Sequence, residues 1–195
     1  MYELPTTITV NDTVYSIRDN GDYRMVLDCF VAINDVELSE QERILTTLAI
    51  FFPVFDNVEL LFSSDEEVLS ELVKKMFDFF NCNQNNAPGA NTNLKLIDWN
   101  TDSQLICSGI NNVANTEIRS VEYCHWWTFM GYYCAIGESP LATVVGIRNK
   151  ILKGKKLEKY ETEFRRDNPQ YFIWDSRTLK QKEEDALLNE IWNKE

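Results

Sequence analysis

Two tetrads with the same grammar, Ser39-Glu40-Gln41-Glu42 and Ser64-Asp65-Glu66-Glu67, constrain this chain most. In each, a serine oxygen can accept from the unpaired backbone N–H groups that open a helix. The glutamate three residues on can reach back to the serine's own N–H. Apolar residues at helical spacing follow both. The first is followed by Ile44, Leu45, Leu48, Ala49 and Phe52, the second by Val68, Leu69, Leu72, Val73, Met76, Phe77 and Phe80. Such spacing places each set on one face of a helix, and that face must be covered by another element. A third set, Val26, Leu27, Phe30, Val31 and Ile33, follows Asp22, a further N-cap residue type. Pro53 stops the second helix, because a proline disfavours helical angles in the residue before it. Three amphipathic helices in the first 80 residues predict a mainly α multi-helix globule.

One β element precedes them. Thr7–Val10 and Thr13–Ile17 are β-branched and aromatic and flank Asn11-Asp12, two residues that tolerate left-handed backbone angles. They predict a small N-terminal β-hairpin, which is marginal in water unless it packs on something. Residues 81–93 then break the pattern with six Asn, Gln84, Pro88 and Gly89 and no charge. The expected division is an acidic half over 1–82, a linker or loop over 83–93, and a helical half over 94–195. In that second half a helix is expected over about 101–114. The segment Val121–Ile136 reads as one helix, apolar nearly all round. Ser139-Pro140 opens a helix to about Leu152. A charged helix over 156–166 ends at Asn168-Pro169, and a last helix spans about 178–193. The total is seven or eight helices.

Charge is unevenly spread. The chain's 195 residues carry 31 acids and 19 bases, a net −12, of which residues 1–82 hold −11 and residues 148–166 hold +5. An acidic body repels a phosphate backbone, so nucleic acid is not the expected partner. The longest apolar run, Leu48–Phe55, is far short of the roughly 20 residues needed to cross a bilayer and contains a proline. With no basic start and apolar run of an export signal, the chain reads as intracellular. Five cysteines without a C-x-x-C spacing suggest neither a disulfide framework nor a zinc module, and Cys29, Cys107 and Cys134 read as small core residues. His125 is the one histidine. Read on a helix, it and Cys124 point about 100° apart and form no nucleophile–base pair. No phosphate-binding glycine motif occurs. No catalytic residue, metal or cofactor is expected.

Partner contacts are the remaining chemistry. Adjacent residues Trp126 and Trp127 cannot face one way, which suggests one in the core and one toward a partner. The basic run offers Arg148, Lys150, Lys155, Lys156 and Lys159 to an acidic partner or to the acidic half of a second copy. Apolar help is expected from the stripe that includes Leu188 and Trp192. A head-to-tail homo-oligomer follows from that split.

Read as a string, Ile97-Asp98-Trp99, Asp102, Glu122-Tyr123-Cys124-His125-Trp126-Trp127-Thr128-Phe129-Met130-Gly131-Tyr132, Ile147-Arg148-Asn149-Lys150 and Lys153-Gly154-Lys155-Lys156-Leu157 resemble the bacteriophage "gene product fifteen" family of long-tailed phages and prophages. The H-W-W-x-F core is its most specific feature, and Leu4-Pro5, Tyr15-Ile17 and Asp22-Tyr23-Arg24 are similar too. The resemblance implies a role in tail morphogenesis in the host bacterial cytoplasm. The gene position it implies is that of a tail assembly chaperone, with the tape measure protein as partner and the major tail protein as a further one. It carries no catalytic residues. A structural component of the tail tube or head–tail connector is the alternative.

Overall fold

The N-terminal hairpin forms because Asn11 and Asp12 take positive φ angles of 47° and 62°, which turns β1 (Thr7–Val10) directly into β2 (Thr13–Ser16). The computed structural model of the chain describes residues 3–84 and 96–173. The hairpin does not stand alone. Ile8, Val10 and Ile17 are buried, and Tyr15 meets the edge of Phe52.

Asp22 then caps α1 (Tyr23–Ile33), its carboxylate accepting from the Arg24 N–H at 2.9 Å. Ser39 and Glu42 form the expected reciprocal cap of α2 (Glu40–Phe51), which stops ahead of Pro53. Arg18 completes the other end of α2. It donates to the Ala49 and Ile50 carbonyls at 3.0 and 2.7 Å and pairs with Asp56, placing a cation where the helix leaves carbonyls unpaired.

The second serine tetrad works differently from expectation. A six-residue helix, α3 (Val58–Ser63), precedes it, and the Ser64 hydroxyl donates backward to the Leu60 carbonyl. Asp65 therefore caps α4 (Glu66–Phe80), accepting from the Glu67 N–H at 2.8 Å. In the second half follow α5 (Ser103–Ala114), α6 (Trp126–Cys134), α7 (Pro140–Leu152) and α8 (Lys159–Asp167), which makes eight α-helices among the described residues. Ser139 caps α7 with Pro140 in its first turn, as the sequence predicts.

The helix expected over Val121–Ile136 is half that length. Val121 and His125 have extended angles, because Cys124 is bound on both sides by the start of α1. Its N–H donates to the Asp22 carboxylate and its carbonyl accepts from the Tyr23 N–H, each at 2.9 Å. Those bonds hold the strand-like segment open until His125 caps α6.

One core draws on both sides of the Asn-rich segment. Val26, Cys29, Phe51, Leu72 and Met76 come from the first half, and Ile106, Ile110, Trp126 and Phe129 from the second. Phe30, half-buried, packs against this core, with ring centroids 5.2 Å from Phe80 and 5.7 Å from both Trp99 and Trp126. Cys29 is buried and Cys107 half-buried, but Cys134 is exposed, at the end of α6. Residues 85–93 of the expected linker, the helix expected over 178–193, and with it Leu188 and Trp192, lie outside the described residues.

Candidate functional site

The residues Asp22-Tyr23-Arg24 and Cys124-His125-Trp126-Trp127, a hundred positions apart, form one knot. Tyr23 stacks on Phe129 with centroids 4.4 Å apart. Arg24 lies over the Tyr23 ring and donates to the Val121 carbonyl at 2.6 Å, while Asp22 takes the Cys124 N–H. His125 joins three elements. Its Nδ1 accepts the Trp127 N–H at 3.0 Å, which makes it the N-cap of α6, and its Nε2 lies 3.1 Å from the Pro5 carbonyl. A carbonyl only accepts, so the proton is assigned to Nε2 and the ring is neutral. Gly21 at φ +80° makes room for it, since a Cβ there would stand 3.0 Å from Nε2 and 2.9 Å from Phe79 Cζ.

Both tryptophans close α4. The Trp126 indole N–H donates to the Phe80 carbonyl at 2.9 Å and that of Trp127 to the Phe79 carbonyl at 3.0 Å. Two carbonyls in the last turn of a helix thus gain partners. Trp126 is 1% exposed and Trp127 half-buried, so they differ in burial as expected, yet both serve the same helix end.

The neutrality of His125 has a pH consequence. Burial pushes its pKa below the usual 6.5, against smaller upward pulls from the Pro5 carbonyl and the Asp22 charge. The unfolded chain therefore binds the proton more readily, and stability is full above about pH 6.5 and lost as pH falls below it. His125→Asn keeps a capping acceptor and removes the titration. Urea midpoints between about pH 7.5 and 5.5 are expected to fall for the natural protein and to fall less for the variant. Parallel slopes would remove His125 as the cause.

The basic run divides under inspection, and Arg148 is a correction. It is 3% exposed and lies against Asp102, which has no exposed surface, through two parallel bonds of 2.6 and 2.9 Å. It also donates to the Leu96 carbonyl and twice to the Tyr171 carbonyl. The Asp102 carboxylate in turn takes the Asp98 N–H at 2.9 Å. Arg148 thus fastens α7 to the start of α5 and to the chain after α8, and no partner can reach it. Lys150 donates to Glu161 at 2.7 Å and holds α8 on α7. That hydrogen bond holds the Glu161 carboxyl below its usual pKa and the Lys150 ammonium above its own. Lys155, Lys156 and Lys159 stand exposed.

Sequence reasoning missed two surfaces. Val58, Leu60 and Phe62 of α3 are exposed to 54, 43 and 73%, and Val54 beside them to 42%. On α6, Trp127, Met130, Gly131 and Cys134 lie along one side, with Gly131 and Cys134 exposed and Trp127 and Met130 partly packed on the core, and the helix carries no charged side chain. A cleft of about 410 Å³ lies between β1 and the end of α4, with Lys75 and Asp78 as its charged lining residues. Among the described residues, no three His, Cys, Asp or Glu side chains gather where a metal could be held, and no helix is long and apolar enough to cross a membrane.

A family model described as "Bacteriophage Gp15 protein" matches residues 1–172. Neither the curated proteins nor the solved structures contain a match to the chain.

Proposed function

From a chain that belongs to the bacteriophage Gp15 protein family, we propose a non-enzymatic tail assembly chaperone that binds the tape measure protein in the host cytoplasm. The observation that carries this reading is the partly open, uncharged side of α6. Trp127, Met130, Gly131 and Cys134 recur at i, i+3, i+4 and i+7, so they line up along one side of the helix. Gly131 and Cys134 are exposed and the two larger residues half-buried. A strip of this kind, low at Gly131 and free of charge, fits the apolar stripe of a partner helix laid against it. A tape measure chain is a long helical polypeptide with such stripes, which aggregates when they stay uncovered. Many copies of a protein with a net charge of −12 would keep it dispersed.

Gly131 gives a clean test. A Cβ there would meet nothing within 4 Å, and a lysine replaces a poor helix former with a good one. Gly131→Lys is therefore expected to keep or raise the urea midpoint. In co-expression with the neighbouring tape measure protein, it is expected to lower the amount recovered by pull-down at least about tenfold, the effect of about 1.4 kcal/mol. Undiminished recovery sinks the α6 reading. Mass spectrometry of purified particles tests the role itself. A chaperone is expected to be absent from finished tails, and stoichiometric presence in them would make the protein a component of the tail tube or connector.

A further inference from the structure

Two separate surfaces of the described structure carry net charges of opposite sign. On α3 Val58 and Phe62, four residues apart, share one exposed apolar face, with Leu60 exposed on the other side of the helix and Val54 exposed in the turn before it. Residues 44–73 around it hold six acids and no base, and one of the acids, Asp56, is paired with Arg18. Around the start of α8, Tyr160 is 63% and Leu152 43% exposed, in a stretch where Lys153, Lys155, Lys156 and Lys159 outnumber the exposed Glu158 and Glu163. Both surfaces are apolar at the centre and charged at the rim, with opposite signs. That is the anatomy of a specific protein contact.

They belong to different parts of the fold. The α3 helix packs on α2 and the Pro53–Asp56 turn, whereas α8 is fastened to α7 through Lys150–Glu161. Both patches are open in the folded chain, so each is available to another molecule. We propose that the protein assembles head to tail, the α3 patch of one copy receiving Tyr160 and the lysines beside it from the next. Two different patches make the contact heterologous, so successive copies build a ring or an open spiral. Exposed charge pairs contribute little affinity, so Phe62 and Tyr160 supply the grip while the lysines set orientation and salt sensitivity. This assembly goes beyond the chaperone reading and needs no tape measure chain.

Sedimentation of the purified full-length protein alone tests it. The average mass is expected to rise with concentration, more so at low salt than at high. Phe62→Asp breaks one patch, and the triple variant Lys155→Glu, Lys156→Glu, Lys159→Glu breaks the other. All four residues are exposed, and circular dichroism and the urea midpoint check that each variant is folded. Each is expected to stay monomeric at concentrations at least tenfold above those at which the natural protein associates. Mixed in equal amounts, they are expected to form a 1:1 complex and stop there, since one intact patch of each kind remains. A natural protein that is monomeric throughout overturns the proposal, as does either variant associating normally or a mixture that stays monomeric. If the protein alone is monomeric and Phe62→Asp instead lowers tape measure recovery, the patch serves that partner and the second-copy reading falls. Gly131→Lys reads tape measure capture and this experiment reads self-assembly, so failure of one leaves the other standing.

Discussion

Arg148→Ala is expected to lower folding stability by about 3–5 kcal/mol, because it strands the Asp102 carboxylate without a counter-charge in the interior. The total stability of a domain is about 5–15 kcal/mol, so a loss of that size leaves a marginal protein. Asp102 has no exposed surface and receives two bonds from the guanidinium, and the carbonyls of Leu96 and Tyr171 lose their donor at the same time. The double variant Arg148→Met, Asp102→Leu removes both charges together and is expected to lose clearly less than Arg148→Ala, since burying a pair costs nearly what it returns. Urea denaturation of the three proteins decides this. If Arg148→Ala behaves like a surface change of under about 0.5 kcal/mol, the pair is not closed in solution.

Trp126→Ala is expected to cost a similar amount, about 3–5 kcal/mol, through the cavity it leaves among Phe30, Trp99 and Phe129. Trp126→Phe separates two contributions. It keeps most of the ring packing but leaves the Phe80 carbonyl without its indole donor, and is expected to cost about 1–3 kcal/mol. The corresponding Trp127→Phe is expected to cost less, because Trp127 is half-buried and the Phe79 carbonyl also accepts from the Cys82 N–H. Equal losses at the two positions would contradict the difference in burial. Denaturant midpoints, with slopes checked for constancy, give the comparison.

What the sequence made legible was whatever is encoded within a few residues. Ser39 with Glu42, Ser139 with Pro140, and Asn11-Asp12 each set a backbone angle or satisfy a neighbour's N–H locally, and each performs as read. The α3 helix escaped because six residues are too few to show a period. Val121–His125 read as helix because its residues are apolar, while the partners that hold it extended are Asp22 and Tyr23, a hundred residues upstream. Arg148 read as surface for the same reason. It opens a stretch to residue 166 that holds eight bases, and Asp102, 46 positions earlier, leaves no mark in the local pattern. Of the residues singled out for partner contact, Lys155, Lys156 and Lys159 are exposed and Trp127 is half-open, whereas Trp126, Arg148 and Lys150 are occupied within the fold.

The knot between Asp22 and Cys124 also sets a schedule for synthesis. A chain made from its N-terminus presents α1 and α4 first, with the Phe80 carbonyl open and the Phe30 ring covered only in part. The indole that closes that carbonyl and meets that ring, Trp126, leaves the ribosome only 46 residues after Phe80. Contacts so distant along the chain close late, so the nascent first half must wait as an incompletely packed intermediate. Its 16 acids against 5 bases through residue 82 then act before any fold exists, keeping neighbouring nascent chains on one messenger apart by mutual repulsion.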